Sequence, residues 1–120
     1  MNARVLVVDD EDILIRCYQR ILEGGEYHID YVRSGRDALQ KIEESKFDLV
    51  ILDYLMPEMN GMEALQCIRE RQPDLKVIMV TGLNQNQTEM RAKALGVFDY
   101  LPKPFDPVDL KHVVEHALAT

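Results

Sequence analysis

Val5-Leu6-Val7-Val8-Asp9-Asp10 runs from four apolar residues straight into a pair of carboxylates, and Leu49-Val50-Ile51-Leu52-Asp53 does the same with a single one. Continuous apolar runs of this length, rich in β-branched residues, read as strands covered on both faces, the mark of a parallel sheet with helices above and below. Val77-Ile78-Met79-Val80 is a third such run and leads into Thr81-Gly82, while Val97 to Leu101 comes shortly before Lys103. His28-Ile29-Asp30-Tyr31-Val32 is more polar and suits a sheet edge. The expected strands are therefore 4–8, 29–32, 49–52, 77–80 and 97–101.

Amphipathic helices fill the intervals. Leu14, Cys17, Tyr18, Ile21 and Leu22 form one stripe that stops at Gly24-Gly25. Ser34 with Asp37, and Asn60 with Glu63, are capping-box patterns that open a second and a third helix. Their inward stripes are Ala38, Leu39 and Ile42, then Met62, Leu65 and Ile68, and Gln72-Pro73-Asp74 ends the third. Asp106-Pro107 opens the fifth with a cap followed by proline at the first helical position, and Leu110, Val113, Val114, Ala117 and Leu118 line its buried face. The fourth helix, about 84–95, is the exception: it opens Asn84-Gln85-Asn86-Gln87, and its apolar positions, Leu83, Met90, Ala94 and Leu95, are few. Such a helix is a solvated face or an element that shifts at low cost. Five β-α units with short connections predict one domain over residues 1–120: a three-layer, doubly wound α/β fold with right-handed crossovers.

Composition narrows the function classes. With 14 basic and 21 acidic residues the net charge is −7, which argues against a nucleic-acid-reading surface on this domain, because phosphate backbones are held by clustered Lys and Arg. No apolar stretch reaches membrane-spanning length, and Met-Asn-Ala-Arg leads into a strand rather than a signal peptide. Cys17 and Cys67 fall in helical patterns without C-x-x-C or histidine spacing, so they read as reduced thiols of a cytoplasmic protein.

In an open parallel sheet, residues leaving the carboxyl ends of neighbouring strands converge at one edge, where such folds place ligands. Asp9, Asp10, Asp53, Thr81 and Lys103 all leave strands at that edge. Three carboxylates brought together repel unless a divalent cation joins them, and hard oxygen ligands suit Mg2+. Asp53 is then the candidate nucleophile, able to accept a phosphoryl group as an aspartyl phosphate. Asp9 and Asp10 would hold the metal, one directly and one through water. Thr81 offers a hydroxyl, and Gly82 offers room and a backbone N–H, to a phosphoryl group whose charge must be met by donors.

Val-Leu-Val-Val-Asp9-Asp10-Glu11, Asp53-Tyr-Leu-Met56-Pro57-Glu-Met-Asn60-Gly61, Val80-Thr81-Gly82 and Tyr100-Leu-Pro-Lys103-Pro104-Phe105 together resemble the two-component response-regulator receiver (CheY-like) domain over nearly the whole chain. The resemblance implies a flavodoxin-like fold with strand order 2-1-3-4-5, and phosphoryl transfer to Asp53 from a phosphohistidine on a sensor histidine kinase or histidine phosphotransfer protein. It implies Mg2+ held by Asp10 directly, by Asp9 through water, and by Asp53 and the backbone carbonyl of Leu55. Thr81 and Lys103 would contact the phosphoryl oxygens, and the Lys103-Pro104 bond would be cis. Thr81 moving toward the phosphate would let Tyr100, the switch aromatic, turn inward and change the surface of the fourth helix, fifth strand and fifth helix, which serves many members for homodimerisation. Leu55 and Leu83 stand where the family tunes dephosphorylation, and neither side chain orients an attacking water, so a long-lived aspartyl phosphate is expected. Gly82 stands where alanine is more usual, which would loosen that loop.

Three other readings compete with this one. An aspartyl-phosphate hydrolase or mutase of the haloacid dehalogenase type wants D-x-D, which Asp53-Tyr54-Leu55 lacks. A flavin- or nucleotide-binding module wants a glycine-rich loop after the first strand, where Asp9-Asp10-Glu11-Asp12 stands instead. His112-Val-Val-Glu115-His116 matches an inverted zincin motif, but both histidines lie opposite the apolar stripe and no further ligand follows. The expectation is a receiver, stand-alone or the N-terminal piece of a longer regulator with an output domain or partner.

Overall fold

The computed structural model describes residues 2–82 and 86–120. Leu83 and the Asn84-Gln85 opening expected for the fourth helix lie outside the described residues. The chain alternates β1 (Ala3–Val8), α1 (Asp12–Leu22), β2 (Tyr27–Val32), α2 (Gly35–Glu44), β3 (Leu49–Asp53), α3 (Gly61–Arg71), β4 (Lys76–Thr81), α4 (Asn86–Ala94), β5 (Asp99–Pro102) and α5 (Pro107–Ala119). All four strand pairings are parallel and the sheet order is β2-β1-β3-β4-β5. The fold is thus three-layer, doubly wound α/β, with the more polar β2 at one edge.

Registers such as Val7↔Ile51 and Ile51↔Ile78 align the strands so that alternate residues fill two cores. Leu6, Val8, Val50, Leu52, Val77 and Met79 pack beneath α2, α3 and α4. Val5, Val7, Leu49, Ile51, Ile78 and Val80 pack beneath α1 and α5. The caps follow the local sequence. Ser34 Oγ accepts the Asp37 N–H at 3.0 Å, and Asn60 and Glu63 exchange side-chain-to-backbone bonds at 2.9 and 3.0 Å. Asp106 holds the N-cap position of α5 with Pro107 after it, but its carboxylate makes no capping bond; its backbone carbonyl accepts the Leu110 N–H at 3.1 Å instead.

Two expectations for the α4–β5 region are corrected. The fifth strand starts at Asp99, not Val97, because Val97 still belongs to the end of α4. Gly96 takes φ 76°, its N–H bonds the Lys93 carbonyl at 2.9 Å, and the Val97 N–H reaches back to Ala92 at 3.1 Å, a Schellman termination. Met90 and Ala94, read as apolar anchors of α4, are exposed, while Thr88 and Ala92, one turn apart, are buried. The inward residues are small, so no apolar stripe marks the face. The helix is nonetheless held at one end: the Arg69 guanidinium on α3 donates to the carbonyls of Leu95 at 2.6 Å, Gly96 at 2.9 Å and Leu75 at 2.5 Å.

The β3–α3 connection contains the one non-glycine residue with positive φ among those described, Glu58 at 69°. The Met59 N–H bonds the Pro57 carbonyl at 2.8 Å across it, which makes Glu58 the centre of a tight γ-turn. A side chain in that region is strained, so Glu58→Gly is expected to raise stability by about 1 kcal/mol in urea unfolding. A loss of stability would show that the turn is relaxed.

Candidate functional site

Alternation carries the site onto one face. Along β1 the residues Val5 and Val7, and along β3 Leu49 and Ile51, point toward α1 and α5, and the next positions in the same series are Asp9 and Asp53. Both aspartates stand at the carboxyl edge of the sheet, Asp9 fully buried and Asp53 2% exposed. Asp10, on the other side of the backbone, is exposed. One carboxylate oxygen from each of Asp9, Asp10 and Asp53 lies within 4.8 Å of the others. Lys103 follows β5, held by its N–H to the Thr81 carbonyl at 2.8 Å and by a cis bond to Pro104. Its Nζ lies 2.9 Å from Asp53 Oδ1 and 3.4 Å from Asp9 Oδ2. Asp9 Oδ1 accepts the Glu11 N–H at 3.0 Å. Among the described residues two buried side-chain polar atoms have no partner: Asp53 Oδ2 and the Tyr18 hydroxyl.

Burial pushes the Asp53 carboxyl up to about 6; the Lys103 hydrogen bond pulls against it, and the Asp9 and Asp10 charges push the same way as burial. Asp9 is raised too, because burial outweighs its bonds to the Glu11 N–H and Lys103. For Lys103 burial works against the ammonium, yet the Asp53 hydrogen bond and the two carboxylate charges outweigh it and raise its pKa. Three carboxylates and one ammonium leave a formal charge of −2 (−3 and +1). The donor set is hard oxygen throughout, and Asp53 Oδ2 is a buried acceptor with no donor. These residues fit Mg2+.

A family model for the response regulator receiver domain matches residues 5–115. The chain belongs to this family. It is a response regulator receiver domain of a two-component system, and receiver domains are signalling domains. The receiver is 37% identical over 118 residues to the transcriptional regulatory protein ZraR of Escherichia coli K12, covering 98% of this chain and 27% of ZraR. It is 34% identical over 108 residues to the chemotaxis protein CheY of Thermotoga maritima, covering 89% of this chain and 90% of CheY. The chain thus spans about a quarter of the length of ZraR and nearly all of CheY. A CheY-like receiver crystal structure from Methanospirillum hungatei JF-1 superposes with a TM-score of 0.94 at 30% identity, covering 99% of this chain and 95% of that one.

Thr81, Gly82, Gly61 and Leu55 surround the receiver's acidic pocket. Thr81 is buried at the end of β4 and shares a side-chain hydrogen bond with Tyr100, whose phenol is pushed up by burial and by the Glu89 charge on α4. Gly82 is exposed, and a Cβ there would meet only Lys103 Cβ, at 3.9 Å; packing does not require glycine. Gly61 is different. A Cβ on it would fall 2.5 Å from the Asp53 carbonyl oxygen, and its N–H bonds the Tyr54 carbonyl at 2.7 Å, so glycine lets α3 start against the backbone that carries Asp53. Leu55 lies in the loop after Asp53 and is 55% exposed. His112 and His116 are exposed on α5, His116 meeting the Phe98 ring edge-on at 5.3 Å. Cys17 and Cys67 are free thiols on different helices. Among the described residues no helix is long and apolar enough to cross a membrane.

Tyr18 is the site neighbour that the sequence hides. Its apolar stripe marks it as core, and it is core, with no exposed surface and its ring 5.7 Å from Phe105. Periodicity locates the ring but not the hydroxyl.

Proposed function

We propose that this receiver is a phosphorylation-controlled switch in which Asp53 takes a phosphoryl group from a phosphohistidine of a sensor histidine kinase or histidine phosphotransfer protein. The observation that carries the reading is the buried Asp53 paired with Lys103 at 2.9 Å beside Asp9 and Asp10. Asp10 directly, Asp9 through water, Asp53 and the Leu55 carbonyl would hold Mg2+. When bound, Mg2+ supplies positive charge against the incoming phosphoryl oxygens.

A carboxylate oxygen of Asp53 attacks phosphorus; the O–P bond forms as the N–P bond of the donor breaks and its electron pair returns to the imidazole. Lys103 holds the carboxylate in place and meets the charge that develops on the phosphoryl group. An apolar cleft of about 450 Å3, lined by Leu14, Cys17, Ile21, Phe105 and Pro107, opens with Lys103 in its wall and offers the donor protein a docking face.

Thr81 donates to a phosphoryl oxygen once one is present, which competes with the bond it shares with Tyr100. Release of that bond lets Tyr100 turn inward and changes its relation to Glu89, altering the surface of α4, β5 and α5 that an output domain, a partner or a second copy reads. The domain is cytoplasmic, folds as one unit over residues 1–120, and performs its own phosphorylation and slow dephosphorylation without turning over a metabolite.

Incubation with acetyl phosphate and Mg2+ followed by intact-mass measurement is expected to show one phosphoryl adduct, lost when EDTA replaces Mg2+; absence of an adduct defeats the reading. Leu55 has no polar atom to orient water, so Leu55→Asn is expected to shorten the adduct's lifetime about three- to tenfold, the worth of one hydrogen bond to an attacking water. Unchanged or slower decay would remove Leu55 from that role.

A further inference from the structure

The two unpartnered buried atoms belong together. Tyr18 packs on the sheet face that carries Val5, Val7, Ile51 and Val80, the same face onto which alternation places Asp9 and Asp53. Side chains of a helix lean toward its N-terminus, and α1 starts at Asp12, directly after Asp9-Asp10. The phenol therefore leans toward the acidic pocket from beneath. Its ring lies 5.7 Å from Phe105, two residues past Lys103, which fixes it under the same strand ends. The Asp9 and Asp53 charges both act on it.

The chemistry of the two orphans is complementary. A phenol hydroxyl donates, and an ionised carboxylate oxygen only accepts. Lys103 holds Asp53 Oδ1 from one side, while Oδ2 has nothing to fix it. A carboxylate held at one oxygen rotates about its Cβ–Cγ bond; held at both, its plane is set.

We propose that Tyr18 is a positioning residue for Asp53, its hydroxyl donating across one buried water to Asp53 Oδ2 so that the carboxylate presents a fixed oxygen to the phosphoryl donor. A bridging water of this kind satisfies otherwise orphaned buried groups and is nearly as favourable as a direct bond. This rests on Asp53 being the phosphoryl acceptor. Tyr18 touches neither donor nor phosphorus and acts through Asp53.

Tyr18→Phe tests it, because the ring and its packing on Phe105 stay while the hydroxyl goes. With acetyl phosphate and saturating Mg2+, the maximal phosphorylation rate is expected to fall roughly three- to tenfold, with the half-saturating donor concentration unchanged. The urea midpoint is expected to fall, because the buried Asp53 oxygen loses its donor, so the rate and the Raman signature decide between a positioning and a purely structural hydroxyl. The Raman difference spectrum of wild type minus Tyr18→Phe is expected to show a hydrogen-bond-donating phenol. An unchanged rate, with or without a lower midpoint, overturns the proposal, and so does an unbonded phenol signature. If wild type takes up no phosphoryl group, the acceptor reading fails first, and the Raman spectrum alone decides whether Tyr18 donates.

Discussion

Asp53→Asn is expected to abolish phosphoryl uptake from acetyl phosphate, to below detection by intact mass, while the protein stays folded. Three carboxylates share the pocket, but their oxygens are not equivalent. Asp9 has Oδ1 occupied by the Glu11 N–H and Oδ2 facing Lys103. Asp10 is exposed and leaves the cluster on its solvent side. Asp53 alone combines burial, an oxygen 2.9 Å from the Lys103 ammonium, and a second oxygen with no direct protein donor. An amide in its place keeps the shape but removes the anionic nucleophile, and loss of a covalent nucleophile removes the pathway rather than slowing it by a single hydrogen bond's worth. An adduct that survives in Asp53→Asn would move the acceptor to Asp9 or Asp10 and defeat the assignment. The same assay on Tyr18→Phe and Leu55→Asn separates residues that carry the chemistry from those that only tune it.

The acidic pocket was legible in the sequence because each of its members ends an apolar run, and a strand buried on both faces has nowhere else to place its first polar residue. Asp9, Asp53 and Thr81 were located by that rule, and Lys103 by its position after the last run. Where the rule weakens, so did the reading. Val97 looks like the start of the fifth strand, but its N–H closes α4 onto Ala92. Thr88 and Ala92 bury α4 with almost no hydrophobic surface, so the apolar residues that the sequence offers, Met90 and Ala94, fall on the solvent side. Asp106 has the side chain of a cap but does not use it as one. Two features have no sequence signal at all: the positive φ of Glu58, which is a backbone angle, and the height of the Tyr18 hydroxyl, which depends on the lean of a helix over a sheet.

The mobility expected of α4 also gains a direction. Arg69, on α3, gathers carbonyls at the C-terminal end of α4 and in the α3–β4 connection, so that end of α4 is tied to the scaffold through a guanidinium that bonds both. Tyr100 meets the helix electrostatically through Glu89, one residue from Thr88, in the N-terminal half. Under the proposed switch, a change at Thr81 and Tyr100 would reach α4 through its N-terminal half, at the other end from the carbonyls that Arg69 holds.

Asp53→Asn should also make the metal-free receiver more stable, and increasingly so as pH rises. The folded-state pKa of Asp53 is raised to about 6 from an ordinary 3.8. A carboxyl with a raised folded pKa favours the folded state fully while it is protonated in both states, below about pH 4, and that contribution is lost as pH climbs through about 6. The gap corresponds to about 3 kcal/mol for a group this buried. Asp9, raised as well, adds a loss of the same sign. Lys103, whose pKa is raised from 10.5, would lose its contribution only above that value, outside the window. Asparagine does not titrate, but it leaves Lys103 without its closest counter-charge, which offsets part of the gain. In EDTA, urea unfolding is expected to show little difference between Asp53→Asn and wild type near pH 4.5 and a gain of about 2 kcal/mol for the variant by pH 8. Mg2+ at pH 8 is expected to stabilise wild type and narrow that gap, because a cation bound to the folded state meets the charge that burial penalises. A gain independent of pH, or one that shrinks as pH rises, would show that Asp53 is not carrying an uncompensated buried charge; the pocket would then be relaxed as it stands, rather than held in a state that binding a cation relieves.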